Sequence, residues 1–500
     1  MTASTPADAH LGIDLGTSSV KAVLLSPRGT QIAQAEAPYA VSHKRSGWAE
    51  SAPMDWWNGT ATAVREAVAR APRVRLASIG LSGQMHGVVP TRSDGSPVRN
   101  GILWADSRAQ EQLSTYRCLP PETRRRLANP LSPGMAGPIL AWLVRHESEV
   151  VAAMRWALQP KDWLRLQLTG EVHTEPSDAS ATLMYDALAD TWAADVVEAL
   201  GIDLDVLPAV LPSSGSAAGS LTATAAHQLG LVPGVPVAAG AADTAAASLG
   251  SGLVGPGTAQ LTIGTGVQLV TPAEHPLLST SDPVTHYYRA ATDQGHYRMA
   301  AVLNGGLALR WVCDTLNASW GELYSAAEQA PRADDPLFLP HLNGERTPYM
   351  DASMRGAWTG LKPQHTRFDL LRSALEGVAF AAAEALASLF PDGLAVDHLR
   401  LAGGGTAAPA WRQMLADVLD VELRAVAVPG ASGRGAAFLG ARAAGLIDES
   451  VLLGLGTPAV TSVVRPRPEA ASRYRDRRTR FRHTVEHLRS VRPSSRRSLA

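Results

Sequence analysis

Cysteine is nearly absent: Cys118 and Cys313 are the two in 500 residues, too few for a disulfide framework or a thiolate metal site. No apolar run reaches the roughly 18 residues that a membrane-crossing helix needs. Met1 to His10 lacks the basic start and apolar stretch of a secretory leader. Lysine is scarce, four of the 45 basic residues, while alanine is abundant, a bias of the kind a GC-rich genome imposes. A formal net charge of −1 gives no long-range attraction to nucleic acid or to a membrane surface, so neither partner is expected. No G-x-x-x-x-G-K-[ST] stretch occurs, which excludes a P-loop. A reduced, cytoplasmic enzyme is the expectation.

What is present is ordinary for a globular chain, with 45% hydrophobic and 18% charged residues. The length exceeds what one core holds, so two domains are expected. The two halves open alike. Leu11–Leu25 and Ala259–Val270 each read as an apolar strand, a Gly-Thr turn and a second strand, an echo that suggests duplicated domains. Strand-like runs at 235–239, 398–402 and 421–426 alternate with helix-like runs at 54–70, 370–390, 411–419 and 435–444, the pattern of α/β layers. The Ser/Gly-rich run 212–219 reads as a surface loop. A single large doubly wound sheet is the alternative.

Three glycine turns suggest phosphate and nucleoside contacts. Tight turns after buried strands let backbone N–H groups converge, and a neighbouring hydroxyl completes an anion nest. Thr17 and Ser18 fill that role in the first half, and Gly264, Thr265 and Gly266 in the second. Asp14, just before the first turn, adds a carboxylate suited to Mg²⁺ through water. Gly403, Gly404 and Gly405 follow a predicted strand, and their missing Cβ atoms would let a flat adenine or ribose approach; the plain alternative is a βα connection. Gly83-Gln84-Met85-His86-Gly87 ends another predicted strand, where open α/β sheets place ligands. Pro236–Asp243 is an apolar strand ending in a lone carboxylate. A His donor and an Asp base around a sugar-sized pocket are suggested, although Asp243 also reads as the N-cap of the helix that follows.

These residues resemble the FGGY family of carbohydrate kinases, from about Leu11 to about Gly445. Gly12–Ser18 matches the family's opening. Gly83–Gly87 resembles the stretch that separates its xylulose kinases from its glycerol and gluconate kinases. Trp104-Ala105-Asp106-Ser107-Arg108 matches W-x-D-x-R, and Trp48-Ala49-Glu50 resembles W-x-E, expected to support the first domain. Pro160–Leu164, Gly240–Asp243, Gly356–Leu361, Ser373–Glu376 and the Gly403–Gly405 cluster with Trp411–Asp417 follow in family order. The resemblance implies two actin-like ATPase (ribonuclease H-like) α/β domains flanking a central cleft. Residues 10–248 would carry the sugar, the first phosphate turn and the base, and 249–490 the nucleotide, with 1–9 and 491–500 flexible.

The implied reaction is ATP-dependent phosphorylation of D-xylulose with Mg²⁺. Asp243 is the implied base and, with Asp14, a metal carboxylate. Met85, His86, Trp104, Asp106 and Arg108 are the implied sugar contacts, with Asp162 a weaker one. Thr17, Ser18, Gly264, Thr265, Gly266 and Gly403–Gly405 are the implied nucleotide contacts, and Gly435–Gly440 either lines the adenine or permits close helix packing. Two departures bear on nucleotide affinity. Gly266 stands, followed by Val267, where relatives often carry Ser, and Ile139 stands where they often carry Lys. A kinase for another ketose or polyol, and a non-catalytic sugar sensor, are the alternatives; a homodimer is left open.

The end of the chain, Arg465 to Ala500, holds twelve Arg against three acidic residues. Tyr474, Phe481, Val485 and Leu488 recur at helical spacing, which predicts a helix packing one apolar face and exposing its arginines to solvent.

Overall fold

The computed structural model describes residues 7–275, 282–330, 332 and 334–491. Of the ends expected to be flexible, 1–6 and 492–500 lie outside the described residues. Ala7–Ala9 instead belong to the first strand, and Val491 is the C-cap of the last helix. The chain divides into two compact units. One is drawn from Met1–Gly255, Pro272–Tyr297 and Val428–Pro458, the other from Pro256–Thr271, Arg298–Ala427 and Ala459–Ala500. The expected division near residue 248 thus differs at two segments, which fold back with the first unit. The main strands form two separate large sheets, not one doubly wound sheet.

In the first unit the strand order is Ala217–Ser220, Pro236–Ala238, Val74–Gly83, Ala7–Leu15, Ser19–Leu25 and Gln31–Pro38, with Ala241–Ala242 also pairing with Val74–Gly83. The edge strand Ala217–Ser220 takes up the end of the expected loop 212–219. The predicted hairpin is present, Asp14 opposite Lys21 and Leu15 opposite Val20. Central strands of such a sheet are covered on both faces. One cover is the helix Pro53–Ala69, which begins with a proline whose missing N–H is unneeded at that position. Its Trp56 is fully buried and meets Trp163 edge to face, ring centres 6.2 Å apart.

The opposite cover is the helix Ala431–Ala443, and it explains why Val428–Pro458 joins this unit. A Cβ on Gly12 would stand 1.8 Å from the Gly433 carbonyl oxygen, and one on Gly80 equally close to that of Ala436. Backbone meets backbone here, which only glycine permits. Of the two readings of Gly435–Gly440, close helix packing is what these residues do: a Cβ on Gly435 would lie 2.0 Å from the Ala246 carbonyl.

The second unit's sheet runs Val267–Ala273, Gln260–Ile263, His398–Ala402, Glu422–Val426 and Val460–Val464. Ile263 pairs with Val267 across the second predicted hairpin. The helix Arg367–Leu389, buried along most of its length, starts at a reciprocal Thr366–Asp369 capping box. The predicted terminal helix is Pro468–Ser490, with Tyr474, Phe481 and Val485 buried. Its arginines are not simply solvated. Arg477 is buried against Glu376, Arg478 and Arg482 meet Glu384, and just before the helix Arg467 meets Asp417. The helix therefore docks through charge pairs as well as through its apolar stripe.

Candidate active site

Three parallel strands set the first site. Asp14 and Ala241 both stand opposite Ser82, one on each side of Val74–Gly83, and Ala242 stands opposite Gly83. Strand spacing of about 4.8 Å puts the two flanking strands roughly 10 Å apart. Asp243 follows directly and begins the helix Asp243–Gly250, whose N-cap is Ala242, not Asp243. Its Oδ1 accepts the Thr244 N–H at 2.6 Å and the Thr244 hydroxyl at 3.1 Å. Burial and then the Asp14 charge raise the Asp243 carboxyl to about 6, against the pull of the Thr244 hydrogen bonds. Asp14 is raised too, by burial, while the Ser82 hydroxyl, donating at 3.1 Å, and Lys21 work the other way.

The first glycine turn adjoins Asp14. Gly16 N–H donates to the Ser19 carbonyl at 3.0 Å, and the Gly16 carbonyl accepts from Tyr39 and Gln84. Ser18 is exposed and Thr17 half-buried. The Thr17 hydroxyl accepts the Trp104 indole N–H at 3.0 Å, joining two residues that the sequence assigned to different ligands.

Met85 is buried, and His86 lies in a left-handed conformation, φ +75°, with the Gly87 N–H returning to the Met85 carbonyl at 2.9 Å. A non-glycine residue rarely adopts that backbone, and such strain gathers at functional positions. The Ala181 carbonyl lies 2.7 Å from His86 Nδ1, so Nδ1 carries a hydrogen and donates it. Tyr288 packs beside the imidazole, ring centres 6.0 Å apart; sequence reading passed over this aromatic neighbour, which carries no motif.

Asp106 and Arg108 pair with each other. Asp106 accepts the Arg108 backbone N–H and Nε at 2.9 Å, its Nη2 at 2.8 Å, and the Ala49 N–H at 2.7 Å. Arg108 reaches Glu50 at 2.7 Å and lies 3.5 Å over the Trp48 ring, so the W-x-E and W-x-D-x-R stretches meet in one network. Arg108 Nη1 is buried with no hydrogen-bond partner among the described residues. Asp162 is buried in an ion cluster with Lys161 and Arg165, and Ile139 is a fully buried core residue of the helix Ala136–His146.

A second site lies wholly within the second unit. A cavity of about 590 Å³ is lined by Gly264, Thr265, Gly306, Leu307, Arg310, Trp320, Tyr324, Gly404 and Gly405. Two of the predicted glycine turns therefore open on one pocket. Gly403 (φ +94°) and Gly266 do not line it but shape the turns: a Cβ would stand 2.4 Å from the Ile263 carbonyl at Gly403 and 2.6 Å from the Val302 carbonyl at Gly266. Turn Gly264–Gly266 is braced by the N–H groups of Gly305, Gly306 and Leu307. Sequence reading missed Arg310, Trp320 and Tyr324; the stacked Trp320–Tyr324 pair, one helical turn apart, was the available signal. Among the described residues no cluster of three or more His, Cys, Asp or Glu could hold a metal ion.

Family models for the FGGY family of carbohydrate kinases match residues 9–250 with the N-terminal domain and 259–444 with the C-terminal domain. The chain is 33% identical over 416 residues to a xylulose kinase of Escherichia coli, covering 83% of this chain and 85% of the relative. It is 31% identical over 444 residues to one of Bacillus subtilis, covering 88% and 89%. Among solved structures, a xylulose kinase from Rhodospirillum rubrum is 28% identical, with TM-score 0.88 and coverage of 96% of this chain and 99% of that one.

Proposed function

Because the chain belongs to the FGGY family of carbohydrate kinases, we propose that it transfers the γ-phosphoryl group of ATP to D-xylulose, giving ADP and D-xylulose 5-phosphate. The observation that carries this reading is Asp243: a carboxyl at a strand end, raised to about 6, beside a second carboxyl and the Met85-His86 turn. A base poised near the working pH is what proton abstraction from a hydroxyl requires.

In this reading the sugar hydroxyl oxygen attacks the γ-phosphorus in line. Its proton passes to Asp243, and the bond from the γ-phosphorus to the β,γ-bridging oxygen breaks to release ADP. His86 hydrogen-bonds a sugar hydroxyl, and Met85 supplies apolar contact. Arg108 offers its unpartnered Nη1 to another hydroxyl, while Asp106 and Glu50 hold it in place. Thr17 and Ser18 are the phosphate contacts of the first unit, and Trp104 orients Thr17. The cavity of the second unit suits the nucleotide, with Trp320 and Tyr324 as the aromatic wall and Arg310 as the cation.

Mg²⁺ arrives with ATP. It binds proteins through one or two carboxylates while keeping several waters, and Asp14 with Asp243 is such a pair. Bound there, the ion would neutralise phosphate charge.

The test is ADP release with Mg·ATP across D-xylulose, D-ribulose, L-ribulose, L-xylulose, xylitol, glycerol and gluconate, beside Asp243→Ala. Turnover that depends on D-xylulose and falls roughly 10²–10⁴-fold in the variant supports the assignment. Faster turnover on another acceptor moves the substrate, and D-xylulose binding without turnover overturns the kinase reading.

A further inference from the structure

Behind Asp243 lies a set of buried groups with no part in that reaction. Lys161, Asp162, Arg165, Glu175 and Asp178 are all buried. Lys161 Nζ lies 2.7 Å from Asp162, 3.2 Å from Asp178 and 3.6 Å from Glu175, and Arg165 pairs with Asp162 at 2.8 Å. A buried ion cluster is weak grounds for stability, because desolvation offsets most of the attraction. Its contacts with the backbone give it a different role.

Those contacts converge on the four residues that precede Asp243. Lys161 and Arg165 both donate to the Ala239 carbonyl, at 3.3 and 2.8 Å. Gly240 follows at φ +82°, pressed against the Leu81 carbonyl. At the other end the Ala242 N–H donates to the Ser177 hydroxyl at 2.9 Å, and that hydroxyl donates to Glu175 Oε1 at 2.8 Å. Glu175 is fixed in turn by the Ser177 and Asp178 N–H groups, at 2.9 and 3.0 Å, and by the Ser214 hydroxyl at 2.6 Å. The strand Ala241–Ala242 is only two residues long; before it the Ala239 and Gly240 N–H groups donate to the Ser216 and Ser214 carbonyls at 2.9 and 3.1 Å, and next to Asp243 the hold on that side is the Ser177 hydroxyl.

We infer that Ser177 is a positioning residue for Asp243: its hydroxyl, oriented by buried Glu175, holds the Ala242 N–H and thereby fixes the direction in which the next residue's carboxyl leaves the backbone. This rests on the reading of Asp243 as the base. Ser177→Ala removes the hydroxyl that both accepts from Ala242 and donates to Glu175, and leaves the buried Ala242 N–H without that partner. Misplacement of a reacting group by about 1 Å can cost roughly 10²-fold.

The test compares Ser177→Ala, Ser177→Cys, Ser214→Ala and Asp243→Asn in the full chain, by kcat, sugar KM and melting temperature. The Ser214 hydroxyl binds the same carboxylate and does not touch Ala242, while the Ser214 carbonyl, which accepts the Gly240 N–H at 3.1 Å, stays in Ser214→Ala, so loss of the hydroxyl reports on the cluster alone. Expected for Ser177→Ala is a kcat roughly 10–100-fold lower with the sugar KM within about threefold, the signature of an interaction that matters in the transition state. Ser177→Cys, with a weaker hydrogen-bonding group, falls between, and decides the matter if the alanine variant is insoluble. Ser214→Ala keeps its kcat within about threefold. Unchanged kcat in Ser177→Cys and Ser177→Ala, or equal losses in Ser177→Ala and Ser214→Ala, overturns the inference. Full turnover in Asp243→Asn instead overturns the base assignment, so the two failures are distinguishable.

Discussion

Asp14 and Asp243 stand on either side of one strand, Val74–Gly83, and the Asp14 charge adds to burial in lifting the Asp243 carboxyl to about 6. The same repulsion that makes Asp243 a better base makes the pair a natural partner for a cation. It also sets how the site responds to pH. Below about 6 Asp243 holds its proton and cannot take another, so kcat/KM should fall about tenfold per pH unit on the acid side. Asp14→Asn removes one cause of the shift and should move that limb to lower pH in whatever rate remains. Initial rates from pH 4.5 to 8.5 check this; a wild-type profile flat down to pH 5 would count against Asp243 as the base.

Asp243 should also cost stability. Its folded value, about 6, lies above the ordinary aspartate value of 3.8. Between those values the folded state holds more protons than the unfolded one, so stability falls as pH rises through that window and stays low above it. Asp243→Asn removes the penalty. In the absence of ligands it should melt higher than wild type at pH 8 and nearly equal to it at pH 4, while losing activity. Thermal unfolding at the two pH values reads the difference, and a variant that melts lower at pH 8 would contradict it.

Much of this site was legible in the sequence because its parts are local. A Gly-Thr turn between apolar strands, a His after a strand and a carboxylate at a strand end each occupy a few consecutive residues. The strand His398–Ala402 falls where its apolar run predicts, and the helix Pro53–Ala69 lies within one residue of its predicted span. The cluster behind Asp243 was not legible. Lys161 sits inside a recognisable motif, but its partners Glu175 and Asp178 and the backbone of Ala239 lie 14 to 78 residues away, and no periodicity marks such pairings. Arg477 was misread for the same reason: an arginine on an arginine-rich helix looks solvated until its partner, about a hundred residues earlier, is known.

That pair yields a sharp stability prediction. Arg477 and Glu376 are almost fully buried, with Arg477 also donating to the carbonyls of Arg332 and Pro336. Arg372 also meets Glu376, at 2.7 Å, so removing Arg477 takes away one of the carboxylate's two cations and leaves the two buried carbonyls without their donor, at a cost of about 1–3 kcal/mol. Arg477→Ala should therefore unfold at much lower denaturant. Arg477→Met with Glu376→Leu, which removes both charges and keeps bulk, should recover much of the loss. Urea titrations of the three proteins test this, and equal midpoints for Arg477→Ala and the double variant would show that lost packing, not the lost ion pair and hydrogen bonds, dominates.

Gly266 stands where the resemblance to the family implies Ser, and the structure gives a physical reason for the glycine. A Cβ there would stand 2.6 Å from the Val302 carbonyl, closer than real Cβ atoms come to backbone, whereas a Cβ on Gly264 would meet nothing within 4 Å. Restoring a hydroxyl with Gly266→Ser should therefore not improve nucleotide binding. It must push the Gly264–Gly266 turn out of place, with an overpacking cost of about 1–3 kcal/mol, and that turn lines the cavity. The expected result is a lower melting temperature and a KM for ATP raised at least about tenfold. Gly264→Ala separates the two effects: its added methyl strains nothing but enters the cavity, so the melting temperature should hold while the KM for ATP rises. Thermal unfolding with ATP titrations of both variants decides the matter. A tighter KM in Gly266→Ser would mean that the turn yields, and that the missing hydroxyl, not the close approach of Val302, governs this position.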